Sequence, residues 1–101
     1  IRSYGIDSII IDPGFGFGKT IEHNYKILNN LERLQEFNLP VLAGISRKSM
    51  IYNVLETTSE YALNGTIAAN TIAISKGAKI LRVHDVKEAI ECIKIVNFTN
   101  K

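Results

Sequence analysis

Short apolar runs alternate with amphipathic segments along this chain, and the runs end in polar residues. Strands are predicted over residues 8–11, 41–43 and 79–83, because each is an aliphatic run bounded by turn residues. Each strand leads directly into residues that can bind a ligand, namely 12–20, 44–49 and 84–85. Since the carboxyl ends of parallel strands share one edge of a sheet, the pattern predicts a parallel sheet with its chemistry at that edge.

Helical periodicity fills the gap between the first and second strands. Apolar residues at spacings of three and four predict a helix over residues 21–37. Thr20 is placed to cap the amino terminus of this helix, and Asn38 followed by Pro40 is placed to end it. His23, on the same helix, is interpreted as a solvated residue.

Two further helical segments are predicted between the second and third strands. A short helical turn covers residues 49–55, and a longer helix over residues 59–76 ends at a glycine. Thr57 and Glu60 have the spacing of a capping box for the longer helix. Gly65 within that helix costs about 1 kcal/mol relative to alanine, which predicts a packing reason for its presence.

The last helix follows the third strand, with Asp85 and Glu88 placed to cap its start. Its predicted buried stripe comprises Val86, Ala89, Ile90, Ile93 and Val96. Cys92 lies near this stripe and is interpreted as a core or interface residue rather than a nucleophile. Strands joined by helices lie parallel with right-handed connections, which fits a doubly wound sheet or a piece of a (β/α)₈ barrel.

Composition narrows the class of protein. The chain has 101 residues, of which 46% are hydrophobic and 22% charged, as in an ordinary globular domain. A net charge of +2 gives no argument for a nucleic-acid or membrane partner. Cys92 is the only cysteine, which excludes an internal disulfide and a multi-cysteine metal site and favours a cytoplasmic location. No apolar stretch reaches the ~20 residues that span a bilayer.

The amino-terminal residues and the strand count both predict that more chain exists. Residues 1–4 have the character of a helix tail that Gly5 would cap. Three strand–helix units would also leave unpaired strand edges and one bare sheet face. We therefore expect the chain to be the C-terminal portion of a longer protein.

The glycine-rich segment after the first strand is not a standard nucleotide-binding loop. Gly14 and Gly18 are separated by three residues, whereas a phosphate-binding P-loop requires four, and the dinucleotide-binding pattern fails as well. A P-loop-like nucleotide site is therefore disfavoured. Asp12, at the end of the predicted strand and just before the glycines, is predicted to face a ligand cleft. Two aromatic residues, Phe15 and Phe17, lie within this glycine loop. Because exposed rings are unfavourable in water, we expect at least one ring to cover an apolar or aromatic ligand.

Cationic residues follow the second and third strands. The segment 46–49 places two cations and two hydroxyls at the start of a helix, a pattern typical of an anion or polar-ring site. Arg82 and His84 alternate with Val83, so they are predicted to share one side of the strand while Val83 points away. A lone arginine on an inward side requires an anionic partner.

Together these three segments resemble the dihydropteroate synthase family. The resemblance rests on residues 12–19, 44–49 and 82–86 in this order and spacing, and it covers essentially the whole chain. It implies an α/β fold, namely a fragment of a TIM (β/α)₈ barrel comprising strands six to eight with their helices. Because such a barrel typically needs roughly 250 residues, residues 1–101 would be the incomplete C-terminal portion of a pterin-binding barrel domain.

The resemblance also implies an activity and two catalytic residues. The family condenses 6-hydroxymethyl-7,8-dihydropterin pyrophosphate with p-aminobenzoate, which yields dihydropteroate and pyrophosphate in folate biosynthesis. Asp12 matches the acidic residue that hydrogen-bonds the pterin, and Lys48 matches the lysine that contacts the pterin ring. As the C–O bond breaks, Asp12 is placed to favour the positive charge that develops on the pterin methylene.

The remaining substrate-binding residues are also implied by the family pattern. Phe17 and Ser46 match positions that line the p-aminobenzoate pocket, where sulfonamides compete. Arg82 and His84 match residues that hold the pyrophosphate, and Gly44 belongs to the same substrate-binding set. The resemblance places no metal ligand in this chain. It implies Mg²⁺ bound through the substrate pyrophosphate and upstream residues, and a homodimer at full length.

Two alternatives stay open. Another pterin-binding barrel, such as a methyltetrahydrofolate-dependent methyltransferase, would share the pterin-binding acid but would not need cations for pyrophosphate. The chain by itself could also be a non-catalytic fragment that only packs or associates.

Overall fold

The computed structural model describes residues 10–16 and 18–100, and it contains parallel strand pairing as predicted. Strand β1 (Leu42–Ala43) pairs in parallel with β2 (Ile80–Leu81), with Leu42 opposite Ile80. Ile11 forms a parallel bridge to Val41 on the other side. The three segments therefore run in one direction, with β1 in the middle. Residues 8 and 9 of the first predicted strand lie outside the described residues, as do residues 1–5.

The first predicted helix is interrupted. Helix α1 (Ile21–Asn29) is followed by a 3₁₀ helix over Leu31–Phe37. The break falls at Asn30, whose side-chain amide donates to the carbonyl of Lys26 at 2.8 Å and so competes with regular helix bonds. The Thr20 cap is confirmed by a 3.0 Å bond from the His23 amide to its hydroxyl, and Asn38 ends the segment in the left-handed conformation.

The predicted capping box is wrong. Helix α2 (Ser49–Tyr52) is a single turn, a 3₁₀ turn covers Ser59–Tyr61, and helix α3 (Leu63–Ser75) starts only after Ala62, which has no capping side chain. The chain therefore enters α3 through a 3₁₀ turn, and the spacing of Thr57 and Glu60 caps nothing there. Gly77, at φ 105°, follows the end of α3 as predicted.

Gly65 has the packing reason that its position predicts. A β-carbon at this residue would lie 2.7 Å from Cδ1 of Leu55, and the neighbouring Ile51 is buried. The close approach is thus between α3 and the α2 region rather than between α3 and the sheet.

The stripe predicted for the last helix is only partly buried. Helix α4 (Val86–Thr99) buries Ala89, Cys92 and Val96, which confirms the interior position of Cys92. Val86, Ile90 and Ile93 are instead exposed, with Val86 at 59%. Asp85 precedes the helix, but its side chain makes no capping bond because it pairs with an arginine from another loop.

The hydrophobic core lies between the strands and helices α1 to α3. Its largest buried side chains are Phe15, Leu31, Ile45, Met50, Ile51 and Val41. The Tyr25 hydroxyl joins α1 to this region by donating to the carbonyl of Met50 at 2.7 Å. Among the described residues, no helix is both long and apolar enough to cross a membrane.

Candidate active site

Asp12 lies at the start of the glycine loop and faces Arg82 across the sheet edge. Its Oδ1 accepts the Gly14 amide at 2.9 Å, while Oδ2 lies 3.5 Å from Nη1 of Arg82. The carboxylate is 40% exposed, so both oxygens stay within reach of a ligand. The two residues are 70 positions apart in the sequence, and the parallel strand order brings them together.

A buried asparagine that the sequence analysis missed supports the glycine loop from below. Asn24 is 2% exposed. Its Oδ1 accepts the Gly16 amide at 2.8 Å, and its Nδ2 donates to the Thr20 carbonyl at 3.0 Å. The sequence offered one signal for this role, namely a polar residue one turn after the cap of α1. Asn24 points inward because the loop requires a hydrogen-bond partner.

Two lysines support the same loop from the ligand side. Nζ of Lys48 donates to the Phe15 carbonyl at 2.7 Å, and Nζ of Lys19 donates to the Gly14 carbonyl at 2.8 Å. Gly16 has a φ of 95°, in the left-handed region that favours glycine, and the lysine stem packs over it, with Cδ 3.4 Å from the position of a β-carbon. Burial, followed by the positive charge of Arg82, lowers the pKa of Lys48, while Asp12 opposes this shift.

Arg82 lies directly over Gly44. A β-carbon on Gly44 would lie 2.8 Å from Cζ of Arg82 and still closer to one of its terminal nitrogens. A side chain at Gly44 would displace the guanidinium from its present place beside Asp12. Lys48 lies within electrostatic reach of Arg82, Asp12 and Lys19, so cations outnumber carboxylates in this part of the site, a balance that favours an anionic ligand.

Ser46 and His84 connect the loops that follow β1 and β2. The Ser46 side chain is buried, and its Oγ lies 2.8 Å from Nδ1 of His84. The same Oγ accepts the His84 backbone amide at 3.2 Å. These two contacts fix the imidazole against the end of the sheet.

A small cavity of about 150 Å³ lies between these loops. It is lined by Gly44, Ser46, Lys48, Arg82, Val83 and His84. Arg82 and His84 therefore share one side, as predicted. Val83 also contributes to the lining, and the direction of its side chain stays a prediction.

A larger cavity of about 380 Å³ lies on the other side of Lys48. Its lining residues are Phe15, Gly16, Arg47, Lys48, Ser49, Tyr52 and Ser59. Phe15 is nonetheless 1% exposed and belongs to the core, so it forms a fixed wall rather than an exposed cover. Phe17 lies outside the described residues.

Arg47 is not available as a cation of the predicted anion site. Its Nε and Nη2 donate to the two oxygens of Asp85 at 2.9 and 3.1 Å. This hydrogen-bonded pair lowers the pKa of Asp85 and raises the pKa of Arg47. The four-residue α2 also offers too short a dipole for anion binding at its start. The cations facing the small cavity are therefore Lys48 and Arg82.

The structure thus brings together the six predicted substrate-binding residues that lie within its described part, and the seventh, Phe17, lies outside it. Asp12, Gly44, Ser46, Lys48, Arg82 and His84 meet at one edge of the sheet. Within residues 10–16 and 18–100, no group of three or more His, Cys, Asp or Glu side chains could hold a metal ion.

The chain is similar to known proteins in both sequence and fold. Residues 1–84 match the sequence model of the family described as pterin binding enzyme. The chain belongs to the pterin-binding enzyme family. It is 47% identical over 93 residues to dihydropteroate synthase of Escherichia coli K12, an alignment that covers 92% of this chain and 33% of that protein.

Solved structures of pterin-binding enzymes share the fold. A dihydropteroate synthase from Coxiella burnetii in complex with pteroic acid superposes with a TM-score of 0.91 at 48% identity, covering 97% of this chain and 37% of that one. The Yersinia pestis dihydropteroate synthase in complex with a sulfonamide drug gives 0.88 at 47% identity, covering 90% of this chain and 33% of that one. The chain therefore spans about a third of the length of the relatives it matches.

Proposed function

We propose that the full-length protein containing this chain is a dihydropteroate synthase. It would condense 6-hydroxymethyl-7,8-dihydropterin pyrophosphate with p-aminobenzoate and release pyrophosphate and dihydropteroate. The observation that carries the proposal is the approach of Arg82 to Asp12 at 3.5 Å, beside a cavity that Lys48 and His84 line. A carboxylate and fixed cations at one site suit a substrate with a polar ring and an anionic leaving group.

Asp12 and Lys48 are the proposed catalytic residues and hold the pterin. The carboxylate accepts hydrogen bonds from the ring and places a negative charge near the methylene carbon as its bond to the leaving oxygen breaks. Lys48 crosses the glycine loop above Gly16, and its ammonium contacts the ring from the side that the small and large cavities share.

Arg82 and His84 hold the pyrophosphate in this proposal. The guanidinium presents a planar fork that matches phosphate oxygens. We assign the Ser46 hydroxyl as the donor to Nδ1 of His84, which leaves the other ring nitrogen protonated to donate to a phosphate oxygen. Gly44 serves this arrangement by leaving space for Arg82.

The larger cavity is the proposed p-aminobenzoate site. Phe15 and Tyr52 supply apolar walls, Ser49 supplies a hydroxyl, and Lys48 separates this cavity from the smaller one. Ser46 is not among the residues that line it, so we propose that Ser46 acts on the pyrophosphate side instead. Phe17 stays a proposed lining residue, and we propose that sulfonamides compete for this cavity.

Several finer expectations also belong to the proposal. They are that residues 1–101 form the C-terminal part of a TIM barrel with strands six to eight, that the full-length protein is a cytoplasmic homodimer, and that its ligands exclude nucleic acid and membranes. The described residues do not by themselves provide a Mg²⁺ site. Mg²⁺ binding through the pyrophosphate and residues outside this chain stays an expectation, and no step above depends on it.

The test is a turnover assay of the purified full-length protein with both substrates. We expect one pyrophosphate released for each dihydropteroate formed. In a parallel assay supplied with a methylated folate and a methyl acceptor, methyl transfer would support the methyltransferase alternative. If neither reaction takes place, a non-catalytic role is favoured.

A further inference from the structure

Arg47 holds a demanding conformation with an unusually complete set of bonds. Its φ of 54° lies in the left-handed region, which residues other than glycine rarely adopt. Besides the two bonds to Asp85, its Nη1 donates to the carbonyls of Ser59 at 2.7 Å and Glu60 at 2.9 Å. Its backbone amide donates to Oγ1 of Thr66 at 3.0 Å. Four of the five guanidinium donors are thus committed within the protein.

Arg47 and its partner Asp85 are both adjacent in sequence to residues of the proposed site. Arg47 lies between Ser46 and Lys48, and Asp85 directly follows His84. The Arg47–Asp85 pair therefore joins the loops that follow β1 and β2, alongside the Ser46–His84 contact. Both side chains of the pair are 22% exposed, so the pair is partly shielded from water.

We propose that Arg47 and Asp85 are positioning residues that fix His84 against the pyrophosphate site. This inference rests on the proposed function for the identity of the ligand. The bidentate pair sets the separation of the two loops, and a shift of about 1 Å in a positioned group can cost on the order of a hundredfold in rate. Arg47 would act through Asp85 and His84, without itself touching the pyrophosphate.

A direct role for Arg47 is the competing interpretation, because Arg47 also lines the larger cavity. In that case its charge would bind the carboxylate of p-aminobenzoate. The two roles differ in what Asp85 does. If the two residues form a positioning pair, replacing either one should cause the same loss. If Arg47 binds substrate directly, replacing Arg47 should lower the affinity for p-aminobenzoate, whereas replacing Asp85 should have little effect.

The experiment uses the full-length protein with Arg47→Lys, Asp85→Asn and the double variant. Lysine keeps the charge of Arg47 but cannot form the bidentate fork. Lys76→Met is the matched control, because it removes a different ion pair, that between Lys76 and Glu32 at 3.3 Å. For each protein, calorimetry measures the dissociation constants of pyrophosphate and of an uncharged pterin, and kinetics measures KM for p-aminobenzoate.

We expect each single variant to weaken pyrophosphate binding by on the order of tenfold to a hundredfold, which corresponds to the loss of one hydrogen bond to a charged group. The double variant should be no worse than the single ones, since the two residues act as one unit. Binding of the uncharged pterin, KM for p-aminobenzoate and all properties of the control should change less than twofold.

Three outcomes would overturn the inference. They are additive losses in the double variant, equal losses for pyrophosphate and pterin, and a rise confined to KM for p-aminobenzoate. If the unsubstituted protein binds pyrophosphate but does not turn over, the proposed function fails while the positioning role is still decided by calorimetry. If it does not bind pyrophosphate at all, both proposals are wrong.

Discussion

The edge of the sheet where the strands end differs sharply from the outer face of α4. At the sheet edge, polar side chains are bonded across loops that are distant in sequence, as in the contacts of Asp12 with Arg82 and of Ser46 with His84. On α4, Val86, Ile90 and Ile93 share one side of the helix and are exposed at 59%, 47% and 37%. Exposed apolar side chains in such number are typical of surfaces that contact further protein.

This difference separates two requirements that one chain must meet. The bonds that orient the proposed ligand groups form within the described residues, because parallel strands bring their ends together whatever surrounds them. Burial of apolar surface is a property of the whole domain. Since the chain spans about a third of its relatives, we expect the outer face of α4 to be covered in the full-length protein.

The largest effect is expected when the chain is studied alone. Residues 1–101 should show no turnover and only marginal, aggregation-prone folding, because strand edges and the α4 face are exposed. Pyrophosphate release by this purified segment, measured beside the full-length protein and free of contamination by it, would show that the sheet edge functions without cover for the α4 face.

The next largest effect concerns the charge of Asp12. In the full-length protein, Asp12→Asn should keep the fold but lower turnover by roughly 10²–10³, since the anion that favours the developing positive charge is removed. Glu32→Gln is the control, because it removes an exposed carboxylate that pairs with Lys76 far from the site. Near-normal turnover of the Asp12 variant would indicate that this residue is structural.

A smaller effect tests whether the α4 face is covered. Ile90→Ser in the full-length protein should lower the free energy of unfolding by about 1–3 kcal/mol, the value of a buried aliphatic side chain, and leave kcat unchanged. Lys94→Ser on the same helix serves as the control and should change stability by no more than a few tenths of a kcal/mol. Equal, small changes in both denaturation curves would mean that Ile90 stays in water.

The smallest effect is the titration of Lys48. Burial lowers its pKa from the ordinary value of 10.5, so the folded protein releases this proton before the unfolded chain does. Between the two pKa values the unfolded state binds more protons, and stability therefore rises with pH in that window. NMR of the Nζ group in the full-length protein should show the lowered pKa, and added pyrophosphate should raise it again. A pKa above 10.5 without ligand would contradict this.

Much of the sheet edge could be predicted because its signals are local. An apolar run followed by Asp12 and glycines, or by Gly44 and Ser46, indicates a strand end and its ligand-facing loop without knowledge of anything distant. The Thr20 cap and the left-handed Asn38 are equally local and are confirmed. The parallel direction of the strands then follows from the helices between them.

What could not be predicted depends on partners that are distant in sequence or on competing local bonds. Asp85 has the position of a helix cap, but the guanidinium of Arg47, 38 residues away, provides two stronger charged hydrogen bonds. Asn30 interrupts the first helix because its amide bonds a backbone carbonyl, which periodicity does not register. The exposed side of α4 escaped prediction because an apolar stripe does not reveal what covers it.

Titration of two ligands into one variant of the full-length protein tests most directly how the site divides between pterin and pyrophosphate. The claim is that Arg82 holds pyrophosphate while Asp12 and Lys48 hold the pterin. Calorimetric titration of Arg82→Lys should show pyrophosphate binding weakened by on the order of 1–3 kcal/mol, because lysine cannot form the bidentate contact. Binding of an uncharged pterin should be almost unchanged. Equal losses for both ligands would contradict the division of the site and would mean that Arg82 supports the sheet edge as a whole.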